Sequence, residues 1–132
     1  MRRLEGPELV SYDLIDSGLL RRVRIMKVPI LTPGTSGMTI GVVVLLRRDD
    51  DRTGNRKLIA HELVHVEQYS RQGLMGFLIR YGRDYLRCLA RHRRHREAYL
   101  AIPAEIEARI EAEKWVERRG ESAAVPPDTG DQ

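Results

Sequence analysis

The five residues from His61 to His65 read His-Glu-Leu-Val-His, a spacing that can bind a metal ion if the segment is an α-helix. Residues four apart share a helix face, with Cβ atoms about 6 Å apart. Two imidazole nitrogens can then meet on one zinc ion at about 2.0–2.1 Å each. Glu62 lies about 100° round the helix, where its carboxylate can accept a proton from water beside the metal. The pattern predicts two zinc ligands, His61 and His65, and a general base, Glu62.

The surrounding residues predict that this helix is buried. Apolar side chains occupy most of its circumference over residues 58–69, and the charged residues gather on one face. His61, His65 and Gln68 share a face that apolar residues flank. Ordinary core histidines with separate hydrogen-bond partners are the alternative, because a buried polar group needs a partner. The ligand spacing and the interposed glutamate favour a shared metal.

A hydrolytic zinc site takes three protein ligands and keeps one position open, so a third ligand is expected downstream. The metzincin pattern requires a glycine and a histidine where this chain has Gln68 and Arg71. His92 and His95 lie in a strongly basic stretch, which favours a solvated helix end. A carboxylate, that of Glu105, is therefore the better candidate.

Glu105 lies near the start of a predicted helix whose first residue is Pro103, a residue well suited to that position. On a helical wheel Glu105 shares its face with alanines and Trp115, whereas Glu107 shares its face with charged residues. Glu105 is expected to point inward and Glu107 outward. The alternative is that Glu105 belongs to an ordinary acidic first turn, which the helix dipole favours.

Residues 38–108 resemble the gluzincin zinc metallopeptidases in three runs: MTIGVVVLL, KLIAHELVHVEQ and AYLAIPAEIEA. The likeness is to minimal single-domain members and to bacterial HELxHVxQ domains. It implies a zinc cofactor held by His61, His65 and Glu105, with Glu62 as general base and acid in the hydrolysis of a peptide or protein substrate. Arg109 departs from the pattern, since ExEAD relatives have an aspartate there that could orient a ligating histidine.

Peptide hydrolysis also needs a second donor to the developing oxyanion. Tyr99, six residues before Glu105, is the phenol predicted to act there, with His95 as the alternative. Tyr81 and Tyr85 are further phenols that could serve or could simply pack.

The periodicity of the chain predicts a small α+β domain over residues 1–120, with a short sheet packed on the HExxH helix in a zincin-like core. About four helices are expected, over residues 6–20, 55–71, 74–90 and 103–119, and the second is expected to begin at Thr53 or Asn55 as its N-cap. Strands are expected over residues 24–30 and 38–46. Within the second strand, residues 41–44 are the candidate platform for an extended peptide, with core packing as the alternative. The tail 121–132 is predicted to be disordered.

Composition predicts a cytoplasmic protein without a membrane partner. The single cysteine, Cys88, cannot form an internal disulfide, and the longest apolar runs are too short to cross a bilayer. No apolar stretch typical of a signal peptide follows Arg2 and Arg3.

An arginine-rich tract over residues 80–96 raises nucleic-acid binding as a competing function. The formal net charge is only +4, and neither a zinc finger nor a helix-turn-helix pattern is present, so a basic face that aids solubility is favoured over a nucleic-acid partner. A combined alternative is an SprT-like protease of nucleic-acid-bound proteins, with His92 or His95 as third ligand. A further alternative is a metal-binding or interaction module without turnover.

Overall fold

The structure, a computed structural model, describes residues 2–29, 31, 37–47 and 56–119. These residues form four strands, β1 (Arg2–Arg3), β2 (Arg24–Lys27), β3 (Gly37–Ile40) and β4 (Val43–Leu46). They also form six helices, α1 (Gly6–Ser11), α2 (Ser17–Arg22), α3 (Arg56–Gln72), α4 (Leu74–His92), α5 (His95–Ala101) and α6 (Pro103–Arg119). The predicted α+β class is confirmed, with the sheet packed on the HExxH helix α3. Within the described ranges, every helix is too short or too polar to cross a membrane.

The sheet has the strand order β1-β2-β4-β3, in which only β2 and β4 run parallel. The prediction of one strand over residues 38–46 is wrong, because the chain reverses at Gly41 and Val42. Gly41 has a φ of +62°, a left-handed conformation that glycine adopts without a Cβ clash. As a result β3 lies at an edge of the described sheet and β4 lies inside it, so residues 43 and 44 are not an exposed platform.

The number of described helices is six rather than about four, because one predicted helix is split and one helix was not predicted. The helix expected over residues 6–20 is split, and α2 begins after Asp16, whose side chain accepts a hydrogen bond from the Leu19 amide. The second case is α5, which follows a left-handed residue, Arg93, at the end of α4. The predicted helix cap at Thr53 or Asn55 and the predicted tail 121–132 lie outside the described residues.

Helix α3 is the centre of the molecule, since it packs against β3 and β4 on one side and against α4 and α6 on others. Leu63 and Val66 of this helix are fully buried. Trp115 of α6 is also fully buried, stacks on Tyr12 with ring centroids 5.1 Å apart, and donates a hydrogen bond to the Ser11 carbonyl. The apolar contacts on both sides of α3 hold its polar face toward α6.

Candidate metal centre

His61 and His65 lie one turn apart on α3, with their ring centroids 5.0 Å apart. His65 is buried, and the side chain of His61 is 15% exposed. The predicted burial of this helix face therefore holds most strongly at His65, while His61 lies at its margin.

Glu105 reaches the two histidines from α6. Ala108 and Ala112, one and two turns after it, are fully buried, and such small side chains let two helices approach closely. Glu105 is 3% exposed; its Oε1 lies 2.9 Å from Nε2 of His61 and its Oε2 lies 3.1 Å from Nε2 of His65. The predicted inward direction of Glu105 is thus observed, and Glu107 is exposed.

The arrangement of these three residues fits a metal ion such as zinc. Their ligand atoms all lie within 4.8 Å of one another, and two imidazoles with one carboxylate form a donor set typical of zinc. The Nε2 atom of His65 is buried and, although it lies near Glu105, has no aligned hydrogen-bond partner among the described residues. A buried nitrogen in this state is explained by a role as metal ligand.

Charge couples Glu105 to the histidines. Burial by itself lowers the pKa of His65, but the contact with Glu105 and the negative charge of Glu105 outweigh it and raise the pKa to about 9. Burial likewise disfavours the charged form of Glu105, yet its contacts with His61 and His65 hold the pKa of this carboxyl well below its usual range. Without a metal, the cluster is therefore an ion pair near neutral pH, and a cation must displace a proton from His65 to bind.

Glu62 is buried, with 3% exposure, and a residue of the sheet holds its side chain in place. The Thr39 hydroxyl of β3 donates a hydrogen bond to Oε1 of Glu62 at 2.7 Å. Gly37 of the same strand leaves space for the carboxylate, because a Cβ there would lie only 3.2 Å from Oε2 of Glu62. The role of Thr39 could not be predicted from the sequence, since it depends on the packing of β3 against α3.

Two phenols lie at the site, the predicted Tyr99 and also Tyr81. Tyr81 of α4 donates a hydrogen bond to Oε2 of Glu105 at 2.6 Å, while Tyr99 of α5 lines the same cavity. Burial and the negative charge of Glu105 raise the pKa of both phenols well above the ordinary value. Both hydroxyls therefore stay protonated and can donate hydrogen bonds.

Two members of the cluster, His65 and Glu105, lie on the wall of a cavity of about 260 Å³. Glu62, His65 and Glu105 are its charged lining, and the remainder is largely apolar and aromatic, with Met38, Ile40, Tyr69, Phe77 and Leu78 among its residues. The edge strand β3 forms one side of this cavity and α4 another.

The other two histidines do not join the ligand group. His92 and His95 are both exposed, and Nδ1 of His95 lies 3.0 Å from the Tyr85 hydroxyl. Among the described residues, the group of metal-ligating side chains holds only His61, His65 and Glu105.

The residue that contacts a ligating histidine from behind is Gln68 and not the residue at position 109. Arg109, at the place of the expected aspartate, donates a hydrogen bond to the Leu100 carbonyl at 2.6 Å and so ties α6 to α5. Gln68 instead contacts a ligand, with its amide oxygen 2.7 Å from Nδ1 of His65. Its position on the histidine face was visible in the sequence, but its partners on α6 were not.

Part of the chain matches a known family. The model of a family described as the eCIS core domain matches residues 30–73, about a third of the chain. The matched segment contains His61, Glu62 and His65 and ends before Glu105. Neither the curated proteins nor the solved structures give a match to this chain.

Proposed function

We propose that this protein is a gluzincin-type zinc metallopeptidase, with His61, His65 and Glu105 as ligands and Glu62 as general base. The observation that carries the proposal is the convergence of these three ligands, two of which, His65 and Glu105, line one cavity with the carboxylate of Glu62. The proposal is supported by two histidines at helical ligand spacing, a buried carboxylate from a second helix and a His65 Nε2 that lacks an aligned hydrogen-bond partner within the described part of the chain.

The protein's own residues divide the work of hydrolysis. A bound zinc ion supplies Lewis-acid chemistry, which makes water more acidic and polarises a carbonyl group. Glu62 accepts the proton of the attacking water, and its hydrogen bond from Thr39 keeps one carboxylate oxygen in place. Tyr99 stays protonated in the cavity and can donate to the oxygen on which negative charge develops, whereas the Tyr81 hydroxyl already donates its one hydrogen to Glu105.

Strand β3 supports a peptide or protein as the substrate. It lies at an edge of the described sheet beside the ligands, and an edge strand can pair with an extended peptide through its backbone groups. Such pairing would bring a backbone carbonyl to the ligand group, while the apolar cavity would take a substrate side chain such as leucine or phenylalanine.

Zinc content and peptide cleavage test this proposal together. The purified protein should bind one zinc ion per chain, and unstructured peptides should be cleaved. Glu62→Gln keeps the side-chain shape but removes the base, so zinc should remain while cleavage falls by about 10²–10⁴-fold. Glu67→Gln, on the same helix but not lining the cavity, is the matched control and should cleave like wild type.

Failure at each step has a different meaning. A protein that takes up no zinc at neutral pH contradicts the metal centre. A zinc-loaded protein that cleaves no peptide in a broad library contradicts the peptidase assignment and leaves a metal-binding module.

A further inference from the structure

Gln68 links the metal centre to α6 through three contacts. It is 1% exposed and lies three residues after His65 on α3. Its amide oxygen lies 2.7 Å from Nδ1 of His65. Its amide nitrogen donates to the Ala104 carbonyl at 3.1 Å and to Oε1 of Glu107 at 2.6 Å.

The contacts on α6 determine which way the amide faces. A backbone carbonyl and a carboxylate accept hydrogen bonds, so the NH₂ group of Gln68 must face Ala104 and Glu107. Its oxygen, an acceptor, then faces Nδ1 of His65, which must carry a hydrogen to donate. When the ion displaces the proton from Nε2, a histidine that keeps its hydrogen on Nδ1 presents the lone pair of Nε2, the atom that lies beside Glu105.

We propose that Gln68 is the positioning residue of the metal centre. It holds the His65 ring with Nδ1 protonated and Nε2 directed at the ion, and it fixes that orientation to the helix that carries Glu105. The inference rests on the zinc site of the proposed function and is independent of peptide hydrolysis.

The position of Arg109 strengthens this assignment. Arg109 has no acceptor oxygen, and it donates to the Leu100 carbonyl, so it cannot accept a hydrogen bond from a ligating histidine. The amide of Gln68 supplies that acceptor from α3 itself. Glu107 then acts one contact further out, by accepting a hydrogen bond from the amide rather than from the histidine.

Gln68→Met is the first test, because methionine has nearly the same length and shape without the amide. The Kd for zinc, measured by competition with a chelating indicator, should rise by about 10–100-fold. Gln72→Met, one turn later at the end of α3, is the matched control and should bind zinc like wild type. A folded Gln68→Met protein with the wild-type Kd would overturn the proposal.

Nuclear magnetic resonance of the His65 ring gives a readout that a general packing defect would not produce. The wild-type protein should show a slowly exchanging Nδ1–H signal for His65, with or without zinc, and Gln68→Met should lose it while the other backbone signals persist. Gln68→Glu combined with Glu107→Gln keeps an acceptor for Nδ1–H and a hydrogen bond between the two side chains, and should regain the signal and part of the affinity. A wild-type His65 without a protonated Nδ1 at neutral pH would overturn the assignment.

Two further outcomes are distinguishable. If Gln68→Met does not fold, Gln68→Ala removes the amide without adding bulk, and the same Kd and Nδ1–H tests apply to it. The wild-type protein could bind no zinc while the Gln68→Met variant still loses the Nδ1–H signal. In that case the proposed function fails, but Gln68 keeps its orienting role.

Discussion

Glu105 and Glu107, two residues apart on α6, should affect zinc binding unequally. Glu105 is a buried member of the ligand group, whereas Glu107 is exposed and reaches His65 only through Gln68, which also donates to the Ala104 carbonyl. Loss of an outer contact alone costs about 10–100-fold in metal affinity, and loss of a ligand costs more. We expect Glu105→Ala to raise the zinc Kd by more than about 100-fold and Glu107→Ala by at most about tenfold.

Isothermal titration calorimetry with a competing chelator measures both values. Equal losses in the two variants would mean that Glu105 is not a ligand. Loss of zinc on His95→Ala, with Glu105→Ala unaffected, would restore the histidine alternative.

Helix α4 covers the site through Phe77, its one buried residue among those described. The Phe77 ring lies with its centroid 4.0 Å from that of Tyr69 and 5.4 Å from that of Tyr81. Phe77→Ala should lower the free energy of unfolding by about 3–5 kcal/mol, because it leaves a cavity between α3 and α4. Ile79→Ala, two residues on at 65% exposure, should change it by no more than about 0.5 kcal/mol.

Urea denaturation of the metal-free proteins compares these two variants, and the slope of the transition shows whether both remain two-state. If the free energy of unfolding of Phe77→Ala equals that of Ile79→Ala, the Phe77 ring does not hold α4 against α3 in the way that the contacts indicate.

For the whole molecule, the stability of the metal-free protein should depend on pH in a defined direction. The pKa of His65 is raised from 6.5 to about 9, so its contribution is fully present below about pH 6.5 and is lost as the pH rises through about 9. The pKa of Glu105 is lowered, so its contribution is present above the ordinary range of a glutamate and is lost as the pH falls. The cluster therefore stabilises the metal-free fold most at about pH 5–6.5.

Urea midpoints in a chelating buffer at about pH 6, 7.5 and 9.5 measure this trend, and they should fall as the pH rises. Zinc should reverse it, since the ion replaces the proton of His65 and its affinity grows as the pH rises toward about 9. Glu105→Gln removes the charge that raises the pKa of His65 and is the control, with a weaker decline expected. A midpoint that does not change between these pH values would contradict the ion pair.

The amino-acid sequence by itself determined the features that depend on local periodicity. The spacing of His61 and His65 follows from 3.6 residues per turn, and the inward direction of Glu105 follows from the alanines on its face. The α+β class followed from apolar β-branched runs before long amphipathic helices. These signals lie within one element, where neighbours in sequence are neighbours in space.

Only the tertiary structure decided which elements meet at the site. The reversal at Gly41 places β3 at an edge of the described sheet and brings Thr39 to Glu62, and the packing of α4 on α3 brings Tyr81 to Glu105. Gln68 finds acceptors 36 and 39 residues further along the chain. Contacts over such separations leave no periodic pattern in the sequence, because they depend on how helices and strands pack rather than on the repeat within any one of them.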